Sequence, residues 1–182
     1  MMIYFVIGII VLIAIYVLAQ YNGFIKLSNS VKEAFATMDV YLKKRWDLIP
    51  NLVEVVKGYA KHESTVIEKV VQLRNLSYDK MSLIDKIDTN QQLSNGITKL
   101  MAVAENYPDL KANQNFLDLS TQLAQVEDEI ANSRKYYNAV VRKMNTKVEM
   151  FPSNLVAKIF KFKLSKMFEA DANEKGNVKV EL

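Results

Sequence analysis

The sequence of 182 residues has no cysteine and a single histidine, His62. Without cysteine the chain has no disulfide, no thiolate nucleophile and no cysteine zinc cluster. One histidine cannot supply the two Glu-x-x-His pairs of a di-iron bundle, and Val66 stands where a His-Glu-x-x-His zinc helix needs its second histidine. The sequence therefore predicts no metal and no other cofactor, and it assigns no catalytic residue.

Glycine and proline are also scarce, with five and three residues. Because these residues mark turns, their scarcity indicates long elements and disfavours a β-sandwich or barrel. No two glycines lie close enough for a P-loop or a dinucleotide-binding fingerprint. The net charge is only +4 and acidic residues are spread along the chain, so nucleic acid is not a predicted partner.

What the chain does have is a long apolar N-terminal run. Residues 1–19 contain no charged side chain, and as a helix they extend about 28 Å, enough to cross a bilayer core of about 30 Å. Aromatic side chains and the first lysine lie near its two edges, which predicts a membrane interface at Tyr4, Tyr21, Phe24 and Lys26. We expect this run to be retained as an anchor in the lipid bilayer.

A cleaved secretory signal is the alternative, because Val17-Leu18-Ala19 has a small residue at a suitable cleavage position. The absence of a basic n-region and the length of the run argue against cleavage. Lys26 and Lys32 follow the run and no basic residue precedes it. Since basic residues near a span tend to stay cytoplasmic, we expect a single-pass plasma-membrane protein with its N terminus outside and its bundle in the cytoplasm.

The remaining chain has apolar residues at alternating steps of four and three, the pattern of one helical face. Two stripes stand out: Val31, Phe35, Met38, Leu42, Ile49, Leu52 and Val56, and then Phe116, Leu119, Leu123, Val126, Ile130, Tyr137, Val140 and Met144. The first keeps its register across Pro50, which predicts a kinked continuous helix. Residues 78–91 lose the pattern and predict a connection with at most a short helix.

Helices with a single apolar stripe bury it against one another, so the sequence predicts an all-α fold in which an N-terminal transmembrane helix precedes an antiparallel bundle of long helices. The expected segments are an anchor over 1–22, a bundle domain over 23–168 and a flexible tail over 169–182. Arg45 interrupts the first stripe, and we expect it to be a paired or snorkelling charge at the bundle edge. Glu127 and Glu129 are expected to be solvated.

Charged and aromatic residues surround the internal proline: Lys43, Lys44, Arg45, Trp46, Asp47, Pro50 and Asn51. A proline frees a carbonyl one turn earlier, which Arg45 or Asn51 would satisfy, so one interpretation is a kink held by local hydrogen bonds. The other is a recognition surface, since arginine and tryptophan are frequent at interfaces. These residues are the candidate interaction site.

A second candidate lies in the stretch 156–168, VAKIFKFKLSKMF. As a helix it would place its apolar residues on one face and its lysines elsewhere, and the candidate membrane-surface residues are Lys158, Lys161, Lys163 and Lys166. A basic amphipathic helix of this kind lies on an anionic leaflet. The alternative is an end cap of the bundle.

Four strings, YNGFIKLSNSVKEAF, KKRWDLIPNLVEVVKGYAKHE, ENYPDLKANQNFLDL and SRKYYNAVVRKMNTKVEMFPSNLVA, follow one another behind the apolar run. In this order they resemble the LemA family of bacterial membrane-associated proteins, over residues 1–168 and with Trp46 where the family often has tyrosine. The resemblance implies one N-terminal span with the N terminus outside and an up-and-down four-helix bundle. It implies no established reaction, and the frequent gene neighbourhood with membrane proteases points to envelope maintenance.

The expected function is that of a membrane-anchored scaffold or adaptor that binds other proteins and is not an enzyme. Its expected partners are the lipid bilayer and other membrane proteins, such as a membrane protease or the product of an adjacent gene. One alternative is an accessory or hydrolytic enzyme with an undetected site. Another is a self-assembling structural membrane protein, a homo-oligomer whose spans pack at Gly8.

Overall fold

The computed structural model describes residues 1–60 and 63–168, and within these ranges it is helical with no strand. The helices are α1 (Met2–Tyr59), α2 (Ser64–Arg74), α3 (Leu83–Ala104), α4 (Pro108–Lys111), α5 (Gln114–Glu149) and α6 (Ser153–Ile159), with a 3-10 turn at Tyr78–Lys80. The predicted all-α class is confirmed, while the four-helix up-and-down arrangement stays a prediction. His62 and the tail predicted over 169–182 lie outside the described residues.

The first helix runs without a break through Pro50 and has 58 residues. The continuous helix predicted at this proline is therefore confirmed. Proline removes one backbone donor, and the buried stripe on both sides, including Ile49 and Leu52, packs well enough to maintain the helix. Within the described ranges, α1 is the helix that is long and apolar enough to cross a membrane, and none of its most apolar window is buried in the protein.

The chain divides into two compact units, and α1 and α5 contribute residues to both. The first unit consists of Met1–Met38 and Ser133–Met167, and its core includes Phe24, Val31, Met38, Tyr137, Val141 and Met144. The second unit contains Asp39–Asn132 together with Phe168, and its core includes Leu42, Trp46, Leu52, Ile87, Leu93, Leu100 and Leu123. Both predicted stripes thus supply core residues.

The third helix begins earlier than its hydrophobic pattern indicates. Ser82 and Asp85 form a capping box, in which the Asp85 amide donates to Ser82 Oγ at 3.2 Å and the Ser82 amide donates to Asp85 Oδ2 at 3.3 Å. The predicted connection over 78–91 is therefore wrong from Leu83 onward. Polar residues that are typical of a loop here start a helix, because they satisfy its free N–H groups.

A glycine lies at a close contact between α2 and α3. A Cβ added at Gly96 would lie 3.0 Å from the Val70 methyl carbon Cγ2. This is tighter than ordinary van der Waals contact, so the hydrogen side chain at position 96 lets the two helices pack at their observed separation.

The sixth helix ends before the predicted amphipathic stretch does. Lys161 has a φ of 59°, its amide donates to Lys158 O at 3.3 Å, and the Phe162 amide donates to Ala157 O at 2.9 Å. These two bonds form the left-handed termination that usually has glycine at this position. The helix expected over 156–168 is therefore wrong after Ile159, and residues 162–168 have no regular structure.

Replacing Ser82 by alanine tests the capping box. Ser82→Ala is expected to lower the free energy of unfolding by about 1 kcal/mol, because the Asp85 amide loses its acceptor. Chemical denaturation of the full chain in mild detergent, followed by circular dichroism, measures the change. Ser77→Ala is the matched control, since Ser77 precedes the 3-10 turn without a side-chain capping bond. Equal effects of the two substitutions would contradict the assigned role.

Candidate functional site

The most buried charge in the described part of the chain is the guanidinium of Arg45 in the second unit, with 1% of the residue exposed. Its Nη1 donates to Ser94 Oγ at 2.6 Å and to Glu127 Oε1 at 2.7 Å. Its Nη2 donates to the carbonyl oxygen of Asn90 at 2.9 Å and to Asn90 Oδ1 at 2.8 Å. One side chain of α1 is thus bonded to α3 and to α5.

These contacts replace the water that Arg45 loses on burial. A buried charge is tolerated when it is paired and hydrogen-bonded, and four acceptors meet this need for the two terminal nitrogens. The buried Nε–H has no hydrogen-bond partner in the described ranges. The expectation of an edge position for Arg45 is wrong, because three helices close around the guanidinium, whereas the expected pairing of its charge is present. Glu127 is bonded to Arg45 and keeps 38% of its side chain exposed, so it is partly solvated. The bonds also go to other helices and not to the carbonyl freed by Pro50.

A second polar cluster connects α1 to the segment before α3 and to its first turn. The Tyr78 hydroxyl donates to Asp39 Oδ1 at 2.6 Å, and Lys86 Nζ donates to Asp39 Oδ2 at 2.7 Å. Lys86 Nζ also lies 4.4 Å from the centre of the Tyr78 ring, whose other neighbour is Trp46 at 5.1 Å between ring centres. Burial raises the pKa of Tyr78, and the hydrogen bond and negative charge of Asp39 raise it further.

The candidate interaction residues divide into buried and exposed members. Arg45 and Trp46 are in the core, with Trp46 3% exposed, so neither offers its planar group to a partner. Pro50 is half-buried, and Lys43 forms an ion pair of 2.6 Å with exposed Asp47. The exposed residues on this part of the helix form what we name the α1 outer stripe: Val40, Lys44, Asp47 and Asn51.

The predicted membrane-interface residues differ in their surroundings. Tyr4 and Lys26 are exposed, while Phe24 is fully buried and stacks on Phe162 with ring centres 4.7 Å apart. Tyr21 lies 4.8 Å from Phe160, ring centre to ring centre. Tyr21 and Phe24 therefore pack against the segment that follows α6.

The candidate membrane-surface lysines are all exposed: Lys158, Lys161, Lys163 and Lys166. Apolar side chains lie exposed among them, with Ile159 68% exposed and Leu155 and Leu164 more than half exposed. The chain after α6 is held along α5, since the Ser165 amide donates to Asn145 Oδ1 at 2.8 Å and the Tyr137 hydroxyl donates to the Lys166 carbonyl oxygen at 2.9 Å. Lysine and apolar side chains are therefore exposed side by side on this segment.

Metal-ligating side chains are not clustered in the described residues. In residues 1–60 and 63–168 no three His, Cys, Asp or Glu side chains are placed to hold a metal ion. Sequence reasoning did not identify Asp39, Tyr78 and Lys86 as partners, because nothing in their local pattern shows that they meet. A signal for the Arg45 network was available, since Asn90 and Ser94 are four residues apart and so share a helix face.

Known proteins similar to this chain share most of its length. A family model described as the LemA family matches residues 34–182. The Protein LemA of Metamycoplasma hominis is 27% identical over 161 residues, covering 86% of this chain and 72% of that protein. The Magnetosome protein MamQ 2 of Paramagnetospirillum magneticum is 24% identical over 178 residues, covering 84% of this chain and 65% of that protein. The Magnetosome protein MamQ of Magnetospirillum gryphiswaldense is 23% identical over 177 residues, with 83% and 65% covered.

Removing the guanidinium should destabilise the second unit. Arg45→Met is expected to lower the free energy of unfolding by about 3 kcal/mol, because the acceptors on Asn90, Ser94 and Glu127 lose their donor. Glu127→Gln should cost only about 1 kcal/mol, since the Glu127 side chain is 38% exposed. Trp46 is the single tryptophan and reports unfolding by its fluorescence.

The control for this pair is Lys44→Met, one residue before Arg45 and exposed. It should change the free energy of unfolding by less than about 0.5 kcal/mol. Equal stability of the Arg45 and Lys44 variants would contradict the proposed contribution of the Arg45 hydrogen bonds to the free energy of unfolding.

Stability should fall in alkaline solution because of Tyr78. Its pKa is raised in the folded state, so at pH above about 10 the unfolded chain loses a proton that the folded chain keeps. The difference in free energy of unfolding between the wild type and Tyr78→Phe should be constant between pH 7 and 9. Above pH 10 the free energy of unfolding of the wild type should fall relative to that of the variant by about 1.4 kcal/mol per pH unit. Denaturation of both proteins across this range measures it, and a difference independent of pH would refute the assignment.

Proposed function

This chain belongs to the LemA family, and from this premise we propose that it is a membrane-anchored helical protein that acts as a scaffold or adaptor by binding other membrane proteins. It crosses the plasma membrane once, with the N terminus outside and the helical bundle in the cytoplasm. Its role is in envelope maintenance, and its partners include a membrane protease or the product of an adjacent gene.

The observation that supports this proposal best is the exposure of the apolar run in α1. Side chains from Met2 to Ile15, including Phe5 and Leu12, are more than two fifths exposed wherever they are large and apolar. An exposed apolar surface of this size on a soluble monomer would be an aggregation hazard, whereas hydrocarbon chains cover it without cost. The charge that follows it, beginning with Lys26, supports the orientation.

Anchoring in a membrane favours a role in binding other proteins. A domain tethered to a membrane meets other membrane proteins at a raised effective concentration, so weak surfaces suffice for association. The α1 outer stripe supplies such a surface, because Lys44, Asp47 and Asn51 are exposed while Arg45 and Trp46 beside them fix the helix in the core. A rigid helix with alternating charge is suited to recognition by a partner helix.

Cysteine accessibility tests the membrane placement, because the chain has no cysteine of its own. In intact cells Met2→Cys should react with a membrane-impermeant maleimide, whereas Asn132→Cys should react only after permeabilisation. Both proteins should stay in the membrane pellet after alkaline carbonate extraction. Release of the chain by carbonate, or labelling of position 132 in intact cells, would overturn the anchoring or the orientation respectively.

Complementation of a deletion strain tests binding against catalysis. The double variant Lys44→Glu with Asn51→Arg should fail to complement while keeping wild-type abundance, since it changes the charge at two of the four residues of the outer stripe. The control is Lys99→Glu with Gln125→Arg, an exposed pair in the same unit with the same charge change, and it should complement.

If the protein were an enzyme, loss of complementation would instead follow from removing residues with acid-base chemistry. His62→Ala with Glu129→Gln removes two residues with acid-base chemistry and leaves the Arg45 partner Glu127 in place. This pair should complement fully if the protein acts by binding. Loss of complementation at normal abundance would favour an enzyme.

A further inference from the structure

A groove of about 620 Å³ lies within the first unit, between α1 and the end of α5. The α1 side includes Tyr16 and Gln20, and the α5 side includes Arg142, Lys143 and Lys147. Met150, the residue after α5, also lines the groove. Its volume is within the range of small-molecule sites, about 300–1,000 Å³. Its lining combines apolar surface with three cationic side chains and contains no carboxylate.

The first unit carries more positive charge than its own carboxylates can balance. The first unit contains 11 lysine and arginine residues against only Glu33 and Glu149, although the whole chain has a net charge of only +4. In residues 1–60 and 63–168, no carboxylate lies within ion-pair distance of Arg142, Lys143 or Lys147. Three unpaired cations on one groove attract an anion, because a carboxylate or phosphate there relieves their mutual repulsion.

One of the three cations is held in place by its surroundings. Lys147 Nζ lies 4.9 Å from the centre of the Phe24 ring, a cation–π contact. It also lies over Gly23, where an added Cβ would be only 2.1 Å from Nζ, so the glycine leaves the space that the ammonium occupies. The ammonium is therefore placed at the α1 side of the groove before any ligand binds.

The end of α5 next to the groove is made less negative. Free carbonyl oxygens at a helix C terminus repel anions. Here the buried Ser153 hydroxyl donates to the carbonyl oxygens of Lys147 at 2.7 Å and Met150 at 2.9 Å. Two carbonyl oxygens that would repel an anion near Lys147 are thus occupied by a hydrogen-bond donor of the protein.

The position of the groove along α1 matches the boundary of a bilayer. Tyr16 and Gln20 belong to the last turns of the apolar run, and Leu27, one helical turn past Gly23, also lines the groove. Tyr16 and Leu27 are about 16 Å apart along the helix, which extends from the hydrocarbon edge through the headgroup layer. A ligand of this groove therefore meets apolar and polar surroundings at once.

We propose that this groove binds one anionic glycerophospholipid. Its phosphate contacts Arg142, Lys143 and Lys147, and one acyl chain follows the apolar side chains of Tyr16 and Met150. The inference rests on the membrane placement in the proposed function. A free phosphate would use the cations alone, whereas a phospholipid also covers the apolar lining, and for this reason the lipid is the assigned ligand.

Native mass spectrometry of the full chain, released from detergent micelles, tests the proposal. Phosphatidylglycerol and phosphatidylcholine with identical acyl chains are added in equal amounts, and one phosphatidylglycerol molecule should be retained in preference. Arg142→Gln with Lys143→Gln should lower this retention about 20-fold, since two headgroup contacts are lost and each is worth about a factor of five. Both side chains are exposed, so the fold should be unaffected.

The matched control is Lys32→Gln with Lys135→Gln, an exposed pair in the same unit that does not line the groove. Retention by this control should stay within about twofold of the wild type. Equal loss in the two pairs would overturn the proposal in favour of general surface adsorption, and so would equal retention of the two lipids. Displacement of the lipid by millimolar inorganic phosphate would overturn it in favour of a free anion.

The test of the lipid site can fail without the proposed function failing. Carbonate extraction and cysteine labelling report whether the chain is anchored, independently of any lipid selectivity. An anchored chain whose groove pair behaves like the control pair would refute the lipid site and leave the membrane scaffold intact.

Discussion

The burial of one guanidinium, that of Arg45, places a directional constraint on the second unit that apolar contacts do not. An arginine stays charged at every physiological pH, so its exclusion from water has to be offset by acceptors in fixed positions. Asn90 and Ser94 on α3 and Glu127 on α5 provide them. Apolar packing alone tolerates small shifts between helices, whereas four hydrogen bonds to one planar group specify the register of α1, α3 and α5.

The polar residues at the start of α3 are explained by the need of buried or unpaired polar groups for hydrogen-bond partners. Ser82 and Asp85 begin the helix through the capping box, Lys86 reaches Asp39 on α1, and Asn90 reaches Arg45. Successive turns of α3 thus present polar groups to a partner on α1 or to their own backbone. The Tyr78 ring lies next to the Lys86 ammonium and packs against Trp46. Polar residues at this place stabilise a specific pairing of helices.

The first unit differs from the second, because it carries an excess of positive charge and leaves apolar surface exposed. Its lysines and arginines greatly outnumber its carboxylates, and the apolar run of α1 has no protein covering it. Both features are unfavourable in water and favourable at an anionic bilayer. Tyr21 and Phe24 contact the rings of Phe160 and Phe162, and these contacts hold the chain after α6 against α1, just beyond the apolar run. The proposed scaffold and the proposed lipid groove both rest on this distribution of charge and apolar surface.

The sequence by itself determined the all-α class, the apolar run, the continuous helix through Pro50 and the family, because helical periodicity, hydropathy and long matching strings are local properties of the chain. Only the tertiary structure decided that Arg45 and Glu127 are partners, that α3 starts at Leu83 and that Phe24 is buried. The pairing of residues 82 positions apart depends on which faces pack, and a polar residue has the same local pattern in a cap, a loop or a buried network. Likewise, Arg142, Lys143 and Lys147 become one groove only when α5 packs against α1.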